Sequence, residues 1–289
     1  MPTRVLITGA AGQLGRALAR AMSSKMDLLF VDTIQATSDV TLCDITDQAQ
    51  VEEAVRSFKP RFIVNTAAFT DVDGNEREPE KARDVNTTGV EYLLTASGEV
   101  GAQLVQVSTD YVFDGTAGPY LEEDEPAPLS VYGRTKLEAE RNVLENGSHT
   151  VIRTNVLFGP YTESKASFVG WIVNSLRAGK ALRIVDDQIN NPTLTTHLAE
   201  AICSAIEEGA TGLYHYGGLE FASRYEFTLK VARHFHLPTD GISPVATKEL
   251  DQLAPRPLKS GLICSKMKMD LNVMNATISE ALSEAFPES

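Results

Sequence analysis

Three glycines follow a short apolar segment at the start of the chain. A Val-Leu-Ile-Thr run leads directly into Gly9, Gly12 and Gly15. In a strand-to-helix turn, the first glycine permits the tight turn, the second lets backbone approach a pyrophosphate, and the third allows helix and strand to pack closely. The amides around Gln13 and Leu14, at the helix N-terminus, would face the phosphates. This feature predicts a parallel α/β sheet that binds a dinucleotide.

The rest of the first half alternates short apolar runs with amphipathic stretches, which is typical of βα units. Asp47 (or Thr46) suits a helix N-cap, and Pro79 suits a first helical position. We predict a fold of the α/β class, a doubly wound parallel sheet of the Rossmann type. The predicted strands are Arg4–Thr8, Asp27–Val31, Phe62–Asn65, Gln103–Ser108 and Thr150–Arg153, and the predicted helices are Gly12–Met22, Asp47–Phe58, Pro79–Val100 and Leu129–Glu145.

The character of the sequence changes after Arg153, where loops lengthen, prolines recur and helical patterns shorten. We assign residues 1–155 to a dinucleotide-binding Rossmann domain. Residues 156–289 would form mainly a smaller C-terminal substrate lobe, partly interleaved with the first domain because some segments return to it. The 289 residues leave room for one large domain or for two fused ones.

Charge and cysteine content narrow the class of protein. The formal net charge of −13 disfavours nucleic acids and anionic membranes as partners, because both require a basic surface. No apolar run approaches the roughly 20 residues that span a bilayer, and no signal-peptide pattern is present. The three cysteines are scattered without metal-ligand spacing and are interpreted as reduced thiols. We therefore expect a cytoplasmic protein with no membrane or nucleic-acid partner.

An acidic residue ends the second predicted strand. Asp32 stands 17 residues after Gly15. A carboxylate at this place accepts hydrogen bonds from the adenosine ribose hydroxyls and repels a 2′-phosphate. Arg16 is close enough in sequence to make NADPH an alternative. We therefore expect NADH to be the preferred cofactor.

A set of hydroxyl and amine groups follows the fourth predicted strand. Thr109 stands at its end, and Tyr132 and Lys136 are spaced to share one face of the next helix. Reduction of a ketone needs a proton and a hydrogen-bond donor for the developing alkoxide. A free tyrosine titrates at about pH 10, so a neighbouring ammonium is needed to stabilise the phenolate. This set predicts Thr109, Tyr132 and Lys136 as the catalytic residues.

A second Tyr-x-x-x-Lys pattern is formed by Tyr161 and Lys165. It follows a Gly-Pro pair just after a strand, and no hydroxyl-bearing strand end precedes it at a matching distance. Chance produces this spacing readily in a chain with 8 tyrosines, so spacing alone does not identify a site. We interpret Tyr132 and Lys136 as the functional pair.

Longer stretches, spread almost from end to end, carry a family resemblance. They are Thr8–Gly15, Asn65–Asp73, Ser108–Gly115, Tyr132–Glu140, Asp187–Thr193 and Arg256–Leu262. In these stretches the chain resembles the dTDP-4-dehydrorhamnose reductases, which are extended short-chain dehydrogenases/reductases. Tyr111 suits a reductase, because related dehydratases usually carry Glu there. The resemblance implies NAD(P)H-dependent reduction of the 4-keto group of a nucleotide-activated 6-deoxy sugar, as in dTDP-rhamnose biosynthesis.

The resemblance also implies roles for individual residues. Tyr132 and Lys136 would contact the cofactor as well as act in catalysis, and Thr109 would contact the substrate. The remaining implied contacts are Asp44 and Ile45 beside the adenine, Ala67, Ala68, Phe69 and Thr70 along the dinucleotide, Asp110 at the sugar and Arg256 at the substrate diphosphate.

Two departures from the family pattern concern the substrate and metals. Val156 stands where family members often have a tryptophan near the sugar or base, which leaves the identity of the sugar open. Some relatives bridge a dimer through a metal held partly by a glutamate shortly after the third glycine. Arg16 begins that stretch here, so no metal is expected. A homodimer is compatible with the resemblance.

Two other functions stay open on the same fold. Some relatives are non-catalytic regulatory subunits that bind the dinucleotide and dock on another enzyme. The intact Thr109, Tyr132 and Lys136 set argues against this alternative. The chain could also be a sugar-nucleotide epimerase or dehydratase that retains and recycles its cofactor.

Overall fold

The structure is a computed structural model that describes residues 2–160 and 167–287. Its strands, in chain order, are Thr3–Thr8 (β1), Met26–Asp32 (β2), Val40–Leu42 (β3), Phe62–Asn65 (β4), Gln103–Thr109 (β5), Thr150–Thr154 (β6), Leu157–Phe158 (β7), Leu182–Val185 (β8), Ile189–Asn190 (β9), Thr193–Leu194 (β10), Gly212–His215 (β11), Ala222–Ser223 (β12) and Ile242–Val245 (β13).

The helices lie between and after these strands. They are Gln13–Met22 (α1), Gln48–Phe58 (α2), Val72–Arg77 (α3), Pro79–Arg83 (α4), Gly89–Val100 (α5), Val131–Glu145 (α6), Phe168–Arg177 (α7), Thr195–Glu207 (α8), Arg224–His234 (α9), Ser265–Leu271 (α10) and Ile278–Ala285 (α11). Within residues 2–160 and 167–287, no helix is both long and apolar enough to cross a membrane.

Seven parallel strands form the central sheet in the order β3-β2-β1-β4-β5-β6-β11. The chain runs outward in one direction from β1 and then in the other from β4. Ligands of such sheets bind where the strand order reverses, outside the carboxyl ends of the strands. The predicted doubly wound α/β fold is confirmed.

Helices cover both faces of the sheet, so its strands are apolar on both sides. Along β1, Val5 and Ile7 pack against α1 and α8, whereas Leu6 faces the opposite layer with α2 and α5. Alternate side chains of a strand point to opposite faces, which produces this division. The two layers fix β1, and with it the start of the glycine-rich turn.

A second apolar core lies outside the sheet. It gathers α7, α9 and α11 around Phe158, Ile172, Phe227 and Leu282. Three two-stranded pairs accompany it, namely β7 with β10, β9 with β12, and β8 with β13. Segments of the C-terminal half also return to the first core, because α8 packs on α1 and β11 extends the central sheet.

The predicted elements agree with the structure apart from some of their ends. Asp47 is the N-cap of α2, where its carboxylate accepts from two backbone amides, and Pro79 begins α4. The helix predicted over Pro79–Val100 contains a π-helical turn at Asp84–Thr88. No element was predicted at α3, at the central-sheet strands β3 and β11, or elsewhere after Arg153. The strand β3 has three residues with an exposed end, and β11 contains Gly212 and the buried polar His215, so neither has a clear strand pattern.

Candidate functional site

A cleft of about 1460 Å³ opens at the carboxyl ends of the central strands. Its volume exceeds what one drug-sized ligand needs, which leaves room for a dinucleotide and a substrate together. Most of the predicted site residues line it. These are Gly9, Gly12, Gln13, Leu14, Asp32, Asp44, Ile45, Ala67, Ala68, Phe69, Thr70, Thr109, Asp110, Tyr132, Lys136 and Val156. Gly15 and Arg256 are not among its lining residues.

The glycine-rich turn has the backbone that its sequence predicts. Gly9 has a φ of 66°, in the left-handed region that glycine favours. A Cβ on Gly15 would lie 2.4 Å from the carbonyl oxygen of Gly9, so α1 passes too close to the turn for a side chain. Gly12 is the N-cap of α1, and as a glycine it has no side chain with which to cap this helix end. The first amides of α1 therefore remain available for an anion such as a diphosphate.

Asp32 is held by two backbone amides, one from the glycine-rich turn and one from the loop after β2. Its Oδ2 accepts from the Ala11 amide at 2.9 Å and its Oδ1 accepts from the Ile34 amide at 3.1 Å. The carboxylate thus faces the cleft in a fixed orientation. Arg16, the residue that made NADPH an alternative cofactor in the sequence analysis, is not among the residues that line the cleft.

The loop after β4 is held from behind by buried amides. Asn86 Oδ1 accepts from the backbone N of Phe69 at 2.8 Å, and Asn75 Nδ2 donates to the Phe69 carbonyl at 2.9 Å. The ammonium of Lys81 lies 4.7 Å from the centroid of the Phe69 ring. Phe69, one of the residues expected to line the dinucleotide, is therefore held in place by α3 and the π-helical turn.

Thr109, Tyr132 and Lys136 meet in the middle of the cleft. Tyr132 and Thr109 both line the cleft, and the Thr109 side chain lies close enough to the phenol to act on its protonation. Lys136 Nζ donates to the Val107 carbonyl at 2.7 Å. Thr109 ends β5, and the other two residues share one face of α6, as the spacing predicts. The geometry brings the predicted trio together.

Burial governs the protonation of this trio. It raises the pKa of Tyr132 well above its ordinary value, against the smaller opposing effect of the Thr109 side chain. Burial also lowers the pKa of Lys136 to about 8, although the carboxylate of Glu140 acts in the opposite direction. At neutral pH the phenol therefore keeps its proton, and most of the lysine remains charged.

Asp110 forms a buried contact between the two sides of the cleft. Its Oδ2 accepts from the Ser260 hydroxyl, and its Oδ1 accepts from Thr109 Oγ1 at 3.2 Å. Burial raises the pKa of this carboxyl, while Asn155 and Arg224 act to lower it. Asp110 therefore links the end of β5 to a loop of the C-terminal half.

Two arginines differ in their relation to the cleft. Arg256 Nη1 donates to Asp73 Oδ1 at 2.8 Å and to the Ala254 carbonyl at 2.7 Å. Arg224 lines the cleft, with its guanidinium carbon 5.2 Å from the centroid of the Phe168 ring. Of the two, Arg224 is the cation placed to meet an anionic ligand.

Sequence reasoning did not identify Arg224, although a local signal existed. Ser223 and Glu226 form a capping box, which marks the start of α9. A cation in the first turn of a helix is disfavoured by the helix dipole. A basic residue directly after a capping serine therefore suggests a role outside the helix itself.

The aromatic content of the cleft differs from the family expectation at Val156. Val156 lines the cleft, but the neighbours that could replace a lost aromatic ring, Phe158 and Phe168, are not among the lining residues. Tyr111 does line it and packs edge-on against Tyr132, with ring centroids 5.7 Å apart. The second motif, Tyr161 and Lys165, lies outside the described residues.

Metal-ligating side chains do not gather in the part of the chain that the structure describes. There, no group of three or more His, Cys, Asp or Glu residues could hold an ion. The three cysteines are not paired in disulfides.

Comparison with known proteins gives the family. The family described as the RmlD substrate binding domain matches residues 3–289. A dTDP-4-dehydrorhamnose reductase of Aggregatibacter actinomycetemcomitans is 34% identical, over 96% of this chain and 97% of that protein. Methionine adenosyltransferase 2 subunit beta of Xenopus tropicalis is 35% identical, over 92% and 81%. The crystal structure of a Bacillus anthracis dTDP-4-dehydrorhamnose reductase in complex with NADP covers 100% of both chains, with a TM-score of 0.92 and 32% identity. The chain therefore belongs to the RmlD substrate binding domain family, together with these reductases.

Proposed function

We propose that the chain is an NAD(P)H-dependent oxidoreductase that reduces the 4-keto group of a nucleotide-activated 6-deoxy sugar. One observation carries the proposal. The hydroxyls of Thr109 and Tyr132 and the amine of Lys136 meet in the same cleft as the dinucleotide-type glycine turn. The kinship with dTDP-4-dehydrorhamnose reductases, one of them in complex with NADP, supports the same reaction and substrate class.

The cofactor would lie across the switch point of the sheet. The uncapped amides at the start of α1 would bind its diphosphate, and Asp32 would accept from the ribose hydroxyls. Asp44 and Ile45 would lie beside the adenine, and Ala67, Ala68, Phe69 and Thr70 would line the path toward Tyr132 and Lys136.

The reaction adds a hydride and a proton to a ketone to give an alcohol. A reduced nicotinamide supplies the hydride when bound. Tyr132 donates its phenolic proton to the keto oxygen as negative charge develops there. The Thr109 hydroxyl, turned from Asp110 Oδ1 toward the substrate, gives that oxygen a second hydrogen bond. The ammonium of Lys136 stabilises the tyrosinate that remains. The raised pKa of Tyr132 keeps the proton on the phenol until the carbonyl oxygen takes it.

Substrate recognition would use the opposite wall of the cleft. Asp110 and Val156 line the sugar side, and Arg224 offers the substrate diphosphate a cation that no carboxylate pairs within hydrogen-bond distance among the described residues. Arg256, which the resemblance assigned to the diphosphate, is paired with Asp73. We therefore place Arg224 ahead of Arg256 in this role.

The decisive experiment is a screen of nucleotide 4-keto sugars in which oxidation of the reduced dinucleotide is followed by absorbance. The expected result is turnover with at least one of them in the wild-type protein and its near absence in Tyr132→Phe. Absence of oxidation with every substrate and both dinucleotides would contradict the proposal.

Asp32 leads to a prediction about the cofactor. The 2′-phosphate of NADPH would face the fixed carboxylate, so NADH should bind tighter by about 1 to 2 kcal/mol, or roughly tenfold. Fluorescence titration of the protein with each reduced dinucleotide measures the two dissociation constants. Equal or reversed affinities would show that another group overrides the acid.

Val156 leads to a prediction about the substrate. Without the family aromatic, dTDP-4-dehydrorhamnose should bind weakly and a bulkier or differently based nucleotide sugar better. Val156→Trp should restore a contact worth about 0.5 to 1.5 kcal/mol beyond its buried area, and so lower the KM for the rhamnose-type substrate. If the wild type already binds that substrate tightly and Val156→Trp weakens it, another side chain fills the pocket.

A second function has one observation in its favour. The chain is 35% identical to a protein named as a subunit of methionine adenosyltransferase, which suits a regulatory subunit that binds a dinucleotide and docks on another enzyme. Dinucleotide binding without turnover on any nucleotide sugar would favour this alternative. For an epimerase or dehydratase, the cofactor would stay bound and be recycled, so free exchange of dinucleotide during turnover would exclude it.

Location and assembly are part of the proposal. The three unpaired cysteines support a reducing compartment such as the cytoplasm. The family resemblance supports a homodimer. Light scattering coupled to size exclusion would give a mass near twice 31.4 kDa for that dimer.

A further inference from the structure

A buried ion pair lies behind the catalytic side chains. Glu140 on α6 and Arg153 on β6 are 1% and 3% exposed. Arg153 Nη2 donates to Glu140 Oε2 at 2.8 Å, and Arg153 Nε lies 3.1 Å from each carboxylate oxygen. Buried charges are tolerated only when they are paired and hydrogen-bonded. The pair fixes α6 against β6.

The same carboxylate reaches the neighbouring strand. The Ser108 hydroxyl donates to Glu140 Oε1. Ser108 directly precedes Thr109 on β5, and Glu140 lies one helical turn beyond Lys136. Through this contact the end of β5 and the active face of α6 are tied to a single carboxylate.

A neutral histidine completes the network on β11. Arg153 Nη1 lies 3.3 Å from Nε2 of His215. A guanidinium offers only donors, so Nε2 must be the accepting nitrogen. Nδ1 then carries the proton and donates to the Tyr120 carbonyl at 3.2 Å. Burial and the adjacent guanidinium lower the pKa of His215 to about 3, so the ring stays neutral and Arg153 is directed to Glu140.

Neither Glu140 nor Arg153 lines the cleft, so they act on the reaction through other residues. We propose that Glu140 is a positioning residue for the reduction, which holds α6 in register with β5 so that Tyr132 meets Thr109. The inference rests on the proposed function and adds a residue that touches neither substrate nor cofactor.

Glu140 also acts on the charge of Lys136. Polar and charged groups lie on each element packed around this amine. On the helix and the strands these are Tyr132 and Glu140 of α6, the Val107 carbonyl and the Ser108 hydroxyl of β5, and Arg153 of β6, and Asp110 follows β5. Among them, the Glu140 carboxylate raises the pKa of Lys136 against the effect of burial.

The test compares Glu140→Gln with Glu138→Gln. Glu138 lies on the same helix but is 40% exposed and pairs with Arg83, so the two variants make the same chemical change at a buried and an exposed place. In Glu140→Gln, kcat should fall about tenfold to a hundredfold because the trio is misplaced. In Glu138→Gln, kcat should not change.

The pH profile separates positioning from a merely structural role. The proposed step needs a protonated Lys136, so wild-type activity should be present below the pKa of this residue and lost as the pH rises through about 8. Loss of the Glu140 carboxylate lowers that pKa, so the alkaline decline of Glu140→Gln should begin roughly one pH unit earlier. A variant that is only less stable keeps the wild-type profile at a temperature where it is folded.

Ser108→Ala keeps the inference testable if Glu140→Gln fails to fold. It removes one hydrogen bond and leaves the ion pair in place, so kcat should fall several-fold while dinucleotide binding is retained. If the wild type is active, either of two results would overturn this inference and leave the proposed function standing. One is a wild-type kcat in Ser108→Ala, and the other is pH profiles of Glu140→Gln and Glu138→Gln that coincide. A wild type that reduces no substrate would overturn the proposed function as well.

Discussion

Replacement of Tyr132 by phenylalanine should lower kcat by about 10² to 10⁴-fold and leave dinucleotide affinity nearly unchanged. The phenol supplies a proton and a hydrogen bond that matter chiefly as charge develops on the keto oxygen, so its loss affects the transition state more than binding. Phenylalanine keeps the ring that packs edge-on against Tyr111, with centroids 5.7 Å apart, so the packing of the side chain should be retained. Steady-state kinetics and a fluorescence titration with reduced dinucleotide measure the two quantities.

The matched control is Tyr161→Phe, which makes the same change in the second Tyr-x-x-x-Lys motif. Its kcat should stay near the wild-type value. If Tyr161→Phe abolished turnover and Tyr132→Phe did not, the catalytic pair would be Tyr161 and Lys165. A strong effect of both variants would mean that the second motif also contributes to activity.

The sequence predicted those features that depend on residues close together along the chain or on the regular geometry of helices and sheets. Glycines directly behind an apolar strand require one kind of turn, and a spacing of four places Tyr132 and Lys136 on one helix face. The carboxyl ends of parallel strands share one edge of the sheet, so Asp32 and Thr109 were expected at a common cleft. Each step depends on neighbours along the chain or on the regular geometry of a sheet.

What sequence did not predict depends on contacts between distant segments. Arg153 and His215 are 62 residues apart, and Ser108 and Glu140 are 32 apart. A buried Arg or Glu looks like any surface residue in a single sequence until its partner is known. The network that holds α6 was therefore not identified, although Glu140 and Arg153 both stand near predicted site residues.

The two arginines show the same limit for ligand contacts. The resemblance drew attention to Arg256, because it opens a matching stretch. The structure pairs Arg256 with Asp73 and turns Arg224 toward the cleft. Whether a cation is available to a ligand depends on which carboxylate the fold places beside it. That carboxylate can lie far away along the chain, as Asp73 does from Arg256, so neighbouring residues in the sequence do not reveal it.

Gly15→Ala should destabilise the protein and weaken dinucleotide binding, although alanine is the better helix former. The new Cβ would lie 2.4 Å from the Gly9 carbonyl oxygen and 2.6 Å from Cα of Ala10, and both are backbone atoms that cannot rotate away. Overpacking of this kind costs about 1 to 3 kcal/mol, which exceeds the helix-propensity gain of about 1 kcal/mol at most. Because α1 must move relative to the turn, its N-terminal amides would also lose their alignment toward the diphosphate.

Gly98→Ala provides the matched control. Gly98 also lies within a helix, α5, but a Cβ there would meet no atom within 4 Å. The same substitution should therefore stabilise the protein by about 0.5 to 1 kcal/mol and leave dinucleotide affinity unchanged. Urea unfolding gives the two free-energy changes, and fluorescence titration gives the dissociation constants. Equal stabilisation by both substitutions, with dinucleotide affinity intact in Gly15→Ala, would show that the turn and α1 are not in the close contact described.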